Sequence, residues 1–280
     1  MTNQIKKTSP PEDIVATVRD RYGRIAEAAS PCCGPAADSC CSSSVDLSTG
    51  IGYKAVDLEL LPEGADLGLG CGAPLEHLEL QPGETVVDLG SGAGIDALIA
   101  ARAVGPTGRV IGVDMTPQML ARARANAVAA GLDNVEFREG RLEALPIDNG
   151  SIDAVTSNCV INLVPDKAAV FREIARVLRP GGRLVVSDVM LEGELPEVVS
   201  TDVMAYVGCV AGAIQRDDYL AMLTDAGLGE IEIVRDVDFL ATVAATIPME
   251  ITDAMVDLGL KAGDLEGVVR SVTYRARRAR

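Results

Sequence analysis

From residue 85 onward the chain alternates short β-rich runs with segments of helical periodicity, and this alternation restricts the fold more than any other feature. Strand-like runs fall near residues 85–89, 109–113, 135–137, 152–157 and 183–188, with helical segments near 94–104, 117–130 and 166–178. Such a pattern predicts an α/β fold built on a parallel, doubly wound sheet with helices on both faces. The boundaries have local causes. Thr116-Pro117 supplies a capping hydroxyl and a first-turn proline, and Gly131 follows the last periodic residue. Before this region, Ile14, Val15, Val18, Tyr22, Ile25 and Ala26 mark one face of a helix over residues 12–29. Ser30 to Gly50 is rich in Cys, Ser, Pro and Gly without periodicity, and reads as a flexible loop or lid. Beyond residue 190, a helix through Gln215–Gly227, strands at Glu230–Val237 and Gly267–Tyr274, and a helix at Pro248–Lys261 between them would extend the sheet or cap it.

Within the first strand–helix unit, Val86-Val87-Asp88-Leu89-Gly90-Ser91-Gly92-Ala93-Gly94 runs from a strand into a glycine turn, where backbone can approach a ligand beside a helix N-terminus. The spacing is Gly-x-Gly-x-Gly rather than the dinucleotide fingerprint. A carboxylate at Asp88 would repel a pyrophosphate and suit a cationic ligand; S-adenosylmethionine, with ammonium and sulfonium groups, meets that demand. Asp114 ends the second strand about 20 residues beyond the loop, where an acid accepts hydrogen bonds from ribose hydroxyls. Met115 would then cover the adenine face, and Leu142 and Glu143, after the third strand, would line its edge.

Charge is lopsided: 41 acidic residues against 25 basic ones give a formal net of -16, which repels phosphate backbones and anionic lipid. Neither nucleic acid nor a membrane is therefore an expected partner. No stretch approaches the roughly 20 apolar residues of a membrane span, and no secretion signal opens the chain, so a cytoplasmic protein is expected. Seven cysteines in such a chain point to reduced thiols with a chemical role rather than to a disulfide framework. With a single histidine, His77, the sequence has little for a base-driven hydrolase or a histidine metal site.

Residues 75 to 190 or so, including Leu178-Arg179-Pro180-Gly181-Gly182-Arg183-Leu184, resemble the class I S-adenosylmethionine-dependent methyltransferases, a Rossmann-like fold. From about residue 15 the chain is similar to the arsenite methyltransferases. The segments that carry this are Val18-Arg19-Asp20-Arg21-Tyr22-Gly23, Gly68-Leu69-Gly70-Cys71-Gly72, Ser157-Asn158-Cys159-Val160-Ile161-Asn162-Leu163 and Tyr206-Val207-Gly208-Cys209-Val210-Ala211-Gly212-Ala213. Ala73 departs from the pattern, where asparagine is more usual. The resemblance implies an N-terminal helix and Cys-rich segment over residues 1–72, a cofactor-binding core over 73–190, and an extension over 191–280 that completes the sheet and covers the acceptor site.

The resemblance further assigns Cys71, Cys159 and Cys209 as thiolate ligands of trivalent arsenic, a thiophilic substrate whose hydroxides three sulfurs can replace. The substrate would be arsenite or a methylated trivalent arsenical. Asp88, Gly90, Ser91, Gly92, Gly94, Asp114, Met115, Leu142, Glu143, Asn158 and Tyr22 form the expected cofactor set, with Tyr22 near the methionine moiety. Methylation formally oxidises arsenic, so a thiol reductant such as thioredoxin or glutathione is implied, with Cys40 and Cys41 as candidates for the recycling step. Two other readings stand beside this one: methylation of a small organic acceptor, with the cysteines only packing, and a metalloid-binding protein without catalysis. An aromatic content of 3% argues against a large flat acceptor.

Overall fold

The structure, a computed structural model, describes residues 11–28, 44–202, 205–206, 208–243 and 265–280. Its centre is a seven-stranded sheet. The strands are β1 (Thr85–Leu89), β2 (Arg109–Asp114), β3 (Val135–Glu139), β4 (Ile152–Asn158), β5 (Leu178–Leu191), β6 (Leu228–Asp238) and β7 (Val269–Arg278), in the order β3-β2-β1-β4-β5-β7-β6. The first five run parallel, and β7 inserts antiparallel between β5 and β6. Chain order reverses between β1 and β4, and in an open α/β sheet a ligand crevice forms at that switch, beyond the carboxyl ends of the strands.

Alternation along the strands divides the core into two layers. Val87, Ile111, Val155 and Leu184 lie in one row of paired residues and pack with Val170, Phe171 and Ile174 of α6 (Lys167–Val177) and with Tyr219 and Leu223 of α8 (Arg216–Asp225). Val86, Val110 and Ala154 face the other way, onto Ala97, Leu98 and Ala101 of α4 (Ile95–Val104) and Leu120 and Ala123 of α5 (Pro117–Ala130). Strands buried on both faces explain why these runs are apolar at almost every position. Phe171, Tyr219 and Tyr274 stack edge to face, with ring centroids 5.2 and 5.8 Å apart.

The N-terminal helix α1 (Pro11–Glu27) lies against α5, where Arg122 donates to the Ala26 carbonyl and Tyr22, Ile25 and Ala26 pack toward Met119. This brings Tyr22 to the carboxyl edge of the sheet. Within the stretch expected to be aperiodic, Ser44–Ile51 forms a helix, α2. Tertiary contacts explain it: Ile51 and Tyr53 bury against Leu58 of α3 (Ala55–Glu59) and Ala73, and Ser48 donates to Asp66. Cys32, Cys33, Cys40, Cys41 and the expected Pro248–Lys261 helix lie outside the described residues. The fifth strand starts five residues earlier than periodicity suggests. The pairing runs from Ile152↔Leu178 to Ala154↔Arg183, with Pro180, Gly181 and Gly182 taken up in the irregularity between them. The short helices α7 (Glu197–Ser200) and α9 (Phe239–Val243) complete the fold. Among the described residues, no helix is long and apolar enough to cross a membrane.

Asp166 caps α6 by accepting a hydrogen bond from the Ala169 amide at 2.9 Å. Asp166→Ala is expected to lower the unfolding free energy by about 1 kcal/mol in urea denaturation; an unchanged midpoint would show that α6 is held by its buried face alone.

Candidate functional site

A cleft of about 800 Å³, counted to its open mouth, lies at the switch point. Its walls include Tyr22, Gly90, Gly92, Asp114, Met115, Thr116, Arg141, Leu142, Glu143, Asn158 and Cys159. The turn after β1 is tight because its amides are spoken for: Gly90 and Ser91 both donate to the Val113 carbonyl, at 2.8 and 3.1 Å. Gly90 has φ +67°, and a Cβ there would meet Val160 at 2.5 Å. Gly92 has φ +51° with open space where a Cβ would stand. The Asp114 carboxylate ties this turn to the one after β2, accepting from the Gly92 amide at 2.9 Å and the Thr116 amide at 2.8 Å. Burial pushes its pKa up, and these amides pull it back.

Asp88, Ser91 and Gly94 lie outside this lining. Asp88 sits beneath the turn, 2% exposed, with Oδ2 unpaired, and its pKa is raised well above the ordinary value by burial and then by the charges of Asp96 and Asp114. It stands beneath the cleft wall, where the sequence reading expected a carboxylate facing the ligand. Gly94, at φ +100°, precedes α4 and packs near Phe137.

Cys71, Cys159 and Cys209 are all buried, free thiols, brought together from three separate segments. Cys71 and Cys209 stand behind the cleft wall, and Cys159 lines it. The Cys209 thiol donates to the Cys159 carbonyl at 2.9 Å. Cys159 and Cys209 hold φ values of +58° and +66°, sparsely populated for residues with a side chain and characteristic of sites that the surrounding fold over-determines. The glycines beside Cys71 answer to close approach: a Cβ on Gly70 would lie 2.7 Å from Asn158 Nδ2, and one on Gly72 2.5 Å from Ser187 Oγ.

Asn158 organises this corner. Its Oδ1 accepts from the Cys71 and Gly72 amides at 3.1 and 3.4 Å, and its Nδ2 donates to the Gly72 carbonyl at 2.7 Å and to Tyr53 Oη at 2.8 Å. Tyr53 in turn donates to both oxygens of Asp96 at 2.9 Å. Burial raises the Asp96 carboxyl to about 6 against these stabilising bonds. Ser271 on β7 closes the far side by donating to the Cys71 carbonyl at 2.6 Å. Nothing local in the sequence marks Tyr53 or Asp96, whose partners lie 43 to 105 residues away. Asp188, also unmarked, is fully buried at the end of β5 and accepts from Asn162, the Val189 amide and Tyr219.

Two of the thiols, Cys71 and Cys159, are held neutral. Hydrogen bonding with Cys209 and Cys71, and then burial, pushes the Cys159 pKa well above the ordinary range; burial pushes Cys71 up. Tyr22 lines the cleft, and burial and then the charges of Cys209, Cys159 and Asp114 raise its pKa.

A model of the methyltransferase domain family matches residues 80–227, and the chain belongs to that family. Within it the chain belongs with the arsenite methyltransferases. It is 47% identical over 231 residues to an arsenite methyltransferase of Halobacterium salinarum, covering 80% of this chain and 59% of that one. It is 38% identical over 189 residues to an arsenite methyltransferase of Aquipseudomonas alcaligenes, covering 65% and 51%. Among solved structures, an arsenic(III) S-adenosylmethionine methyltransferase from Chlamydomonas reinhardtii superposes with a TM-score of 0.60 at 30% identity, over 86% of this chain and 75% of that one. The chain thus spans a little over half the length of the curated relatives it matches.

Because the folded state holds Cys71 and Cys159 protonated, the unfolded chain releases its thiol protons first, at about pH 8.5. Stability therefore falls as pH rises from that value toward the raised folded values. A difference titration of thiolate absorbance, native protein minus Cys159→Ser, is expected to show no ionisation below about pH 8.5; a signal at pH 7 would contradict the buried, neutral assignment.

Proposed function

We propose that this chain transfers the methyl group of S-adenosylmethionine to trivalent arsenic held by Cys71, Cys159 and Cys209. The observation that carries the reading is the convergence of three free, buried thiols beside the cleft, with Cys159 on its wall. The names of the relatives point the same way. Burial is the usual fate of a free cysteine, and packing alone accounts for any one of them. It does not account for two thiols on left-handed backbone facing a third across a hydrogen-bonded loop.

The residues of the cleft fit the donor. The open space at Gly92 leaves backbone accessible, Asp114 presents a carboxylate for paired hydroxyls, and Met115 and Leu142 offer apolar faces for a flat base, with Glu143 at its edge. Asp88, Ser91 and Gly94 support the turn, and Tyr22 and Asn158 stand toward the thiols. When bound, the donor supplies an electrophilic methyl on a sulfonium, which a soft nucleophile takes with release of a neutral thioether.

Arsenous acid condenses with three thiols to give a pyramidal trithiolate and three waters, and the raised pKa values of Cys71 and Cys159 suit that loading. The lone pair of arsenic is then the nucleophile and no general base is needed; catalysis rests on alignment by fixed backbone and on exclusion of water. The apolar surround of Val18, Leu163, Val189 and Leu191 serves that exclusion. His77 closes a short 3₁₀ turn at Pro74–His77 away from the cleft, which agrees with a reaction that uses no imidazole.

Incubation with S-adenosylmethionine, arsenite and a thiol reductant, followed by separation of arsenic species, is expected to yield methylated arsenic. Cys71→Ser, Cys159→Ser and Cys209→Ser should each lower the rate at least about tenfold, a loss of more than about 1.4 kcal/mol of barrier lowering. Undiminished methylation by Cys159→Ser would overturn the assignment. Formal oxidation of arsenic makes two-electron reduction necessary, and we assign that step to a thioredoxin- or glutathione-type reductant working with Cys40 and Cys41. Replacing both with serine is expected to slow steady-state turnover and spare a single turnover; equal loss in both regimes would reject the recycling role.

A further inference from the structure

Asp188 has no part in the reaction above, yet it lies against the acceptor thiols. One sulfur each from Cys71 and Cys159 and one carboxylate oxygen of Asp188 all fall within 4.8 Å of one another, and all three residues are buried. We infer that these residues form a second ligand set at the same corner, a site for a thiophilic divalent cation of the zinc, cadmium or cobalt kind. Its competition with arsenite rests on the function proposed above; its ability to bind the cation does not.

The two substrates ask different things of the protein. Trivalent arsenic keeps a stereochemical lone pair and is satisfied by three sulfurs. A zinc-like cation is tetrahedral and accepts thiolate and carboxylate together, at about 2.3 Å for sulfur and 2.0–2.2 Å for oxygen. Tetrahedral geometry then sets ligand separations near 3.5–3.8 Å, so closing the observed triangle takes movements of about 1 Å. The fourth position is left to water. Cys209 is dispensable for the cation, since it stands outside the triangle of Cys71, Cys159 and Asp188.

Asp188 is built as a ligand of fixed orientation. Asn162 Nδ2 and the Val189 amide both donate to Oδ1, at 2.8 and 2.9 Å, and Tyr219 donates to Oδ2 at 3.0 Å. Outer donors of this kind orient a coordinating carboxylate. Oδ2 carries a single donor, so a lone pair is free for a cation. Charge also closes. Two thiolates, one carboxylate and a divalent cation sum to -1, and the buried ammonium of Lys167, which donates to the Asn162 and Val164 carbonyls, supplies +1 within reach of Asp188.

Binding balances as one divalent cation and two thiols giving the dithiolate complex and two protons, with the carboxylate as the third ligand. Cation affinity should therefore rise with pH, by up to about a hundredfold per unit while both thiols are protonated. Arsenite loading releases water instead and should stay nearly flat over the same range.

The test uses the full chain with Cys32, Cys33, Cys40 and Cys41 replaced by serine, titrated anaerobically with Co²⁺ and then with Zn²⁺. One Co²⁺ per chain is expected, with sulfur-to-metal charge-transfer bands and the strong visible absorption of a tetrahedral site, lost on addition of Zn²⁺ or arsenite. Asp188→Asn should weaken Co²⁺ at least about tenfold, or about 1.4 kcal/mol, and leave arsenite affinity within about twofold. Cys209→Ser should do the reverse. Should Asp188→Asn fail to fold, Tyr219→Phe removes a donor that orients the carboxylate and is expected to weaken Co²⁺ binding about tenfold while leaving arsenite affinity within about twofold. Absence of charge-transfer bands, or equal losses for Co²⁺ and arsenite in Asp188→Asn, or unchanged Co²⁺ binding in Tyr219→Phe, overturns the proposal. Co²⁺ binding that depends on Asp188 but resists arsenite would keep the cation site and overturn the acceptor assignment instead.

Discussion

The carboxamide of Asn158 holds the Cys71 loop against the end of β4, and the rest of the candidate site depends on that attachment. Both functions of the amide are used: Oδ1 takes the Cys71 and Gly72 amides, and Nδ2 serves the Gly72 carbonyl and Tyr53. A half-buried amide so fully partnered is costly to disturb, because its removal leaves several polar partners unsatisfied. It also sets the spacing between Cys71 and Cys159, its own chain neighbour. The glycines at 70 and 72 follow from it, since no side chain fits where the loop meets Asn158 and Ser187.

Burial gives the thiols their second property. In water a cysteine titrates near pH 8.5, but here hydrogen bonds from the other two sulfurs and then loss of solvent hold Cys159 protonated, and loss of solvent holds Cys71 protonated. A neutral Cys71 and Cys159 avoid the repulsion that two thiolates would suffer at such close range, and condensation with a neutral acid proceeds by loss of water. A divalent cation at the same corner must displace protons, and for it the carboxylate of Asp188 supplies the third ligand atom that arsenic does not need. One cluster of side chains thus distinguishes two soft ligands by their valence and their lone pair.

Much of the fold was legible because its signals are local. The strands at 85–89, 109–114 and 152–158, and the helix from Pro117 to the left-handed Gly131, fall where periodicity, the first-turn proline and the glycine stop put them, although the Thr116 hydroxyl makes no capping hydrogen bond. The early start of β5 was not legible, because Leu178 joins the sheet through pairing with Ile152 across the irregularity at Pro180–Gly182. Nor was Ser44–Ile51, whose helix follows from burial of neighbouring Ile51 and Tyr53 and not from propensity. In the site, the glycine turn and Asp114 could be read from order along the chain. The three cysteines came through family resemblance, since their spacing of 88 and 50 residues carries no register of its own. Tyr53, Asp96 and Asp188 escaped because side-chain hydrogen bonds to residues 26 to 105 positions away leave no trace in the local pattern.

The central claim is that Cys71, Cys159 and Cys209 together surround trivalent arsenic. X-ray absorption at the arsenic edge tests it directly on the arsenite-loaded full chain with Cys32, Cys33, Cys40 and Cys41 replaced by serine. The account predicts three sulfur neighbours and no oxygen in the first shell, falling to two sulfurs in Cys209→Ser. An oxygen shell retained in the unsubstituted triad, or a three-sulfur shell that survives Cys209→Ser, would contradict it.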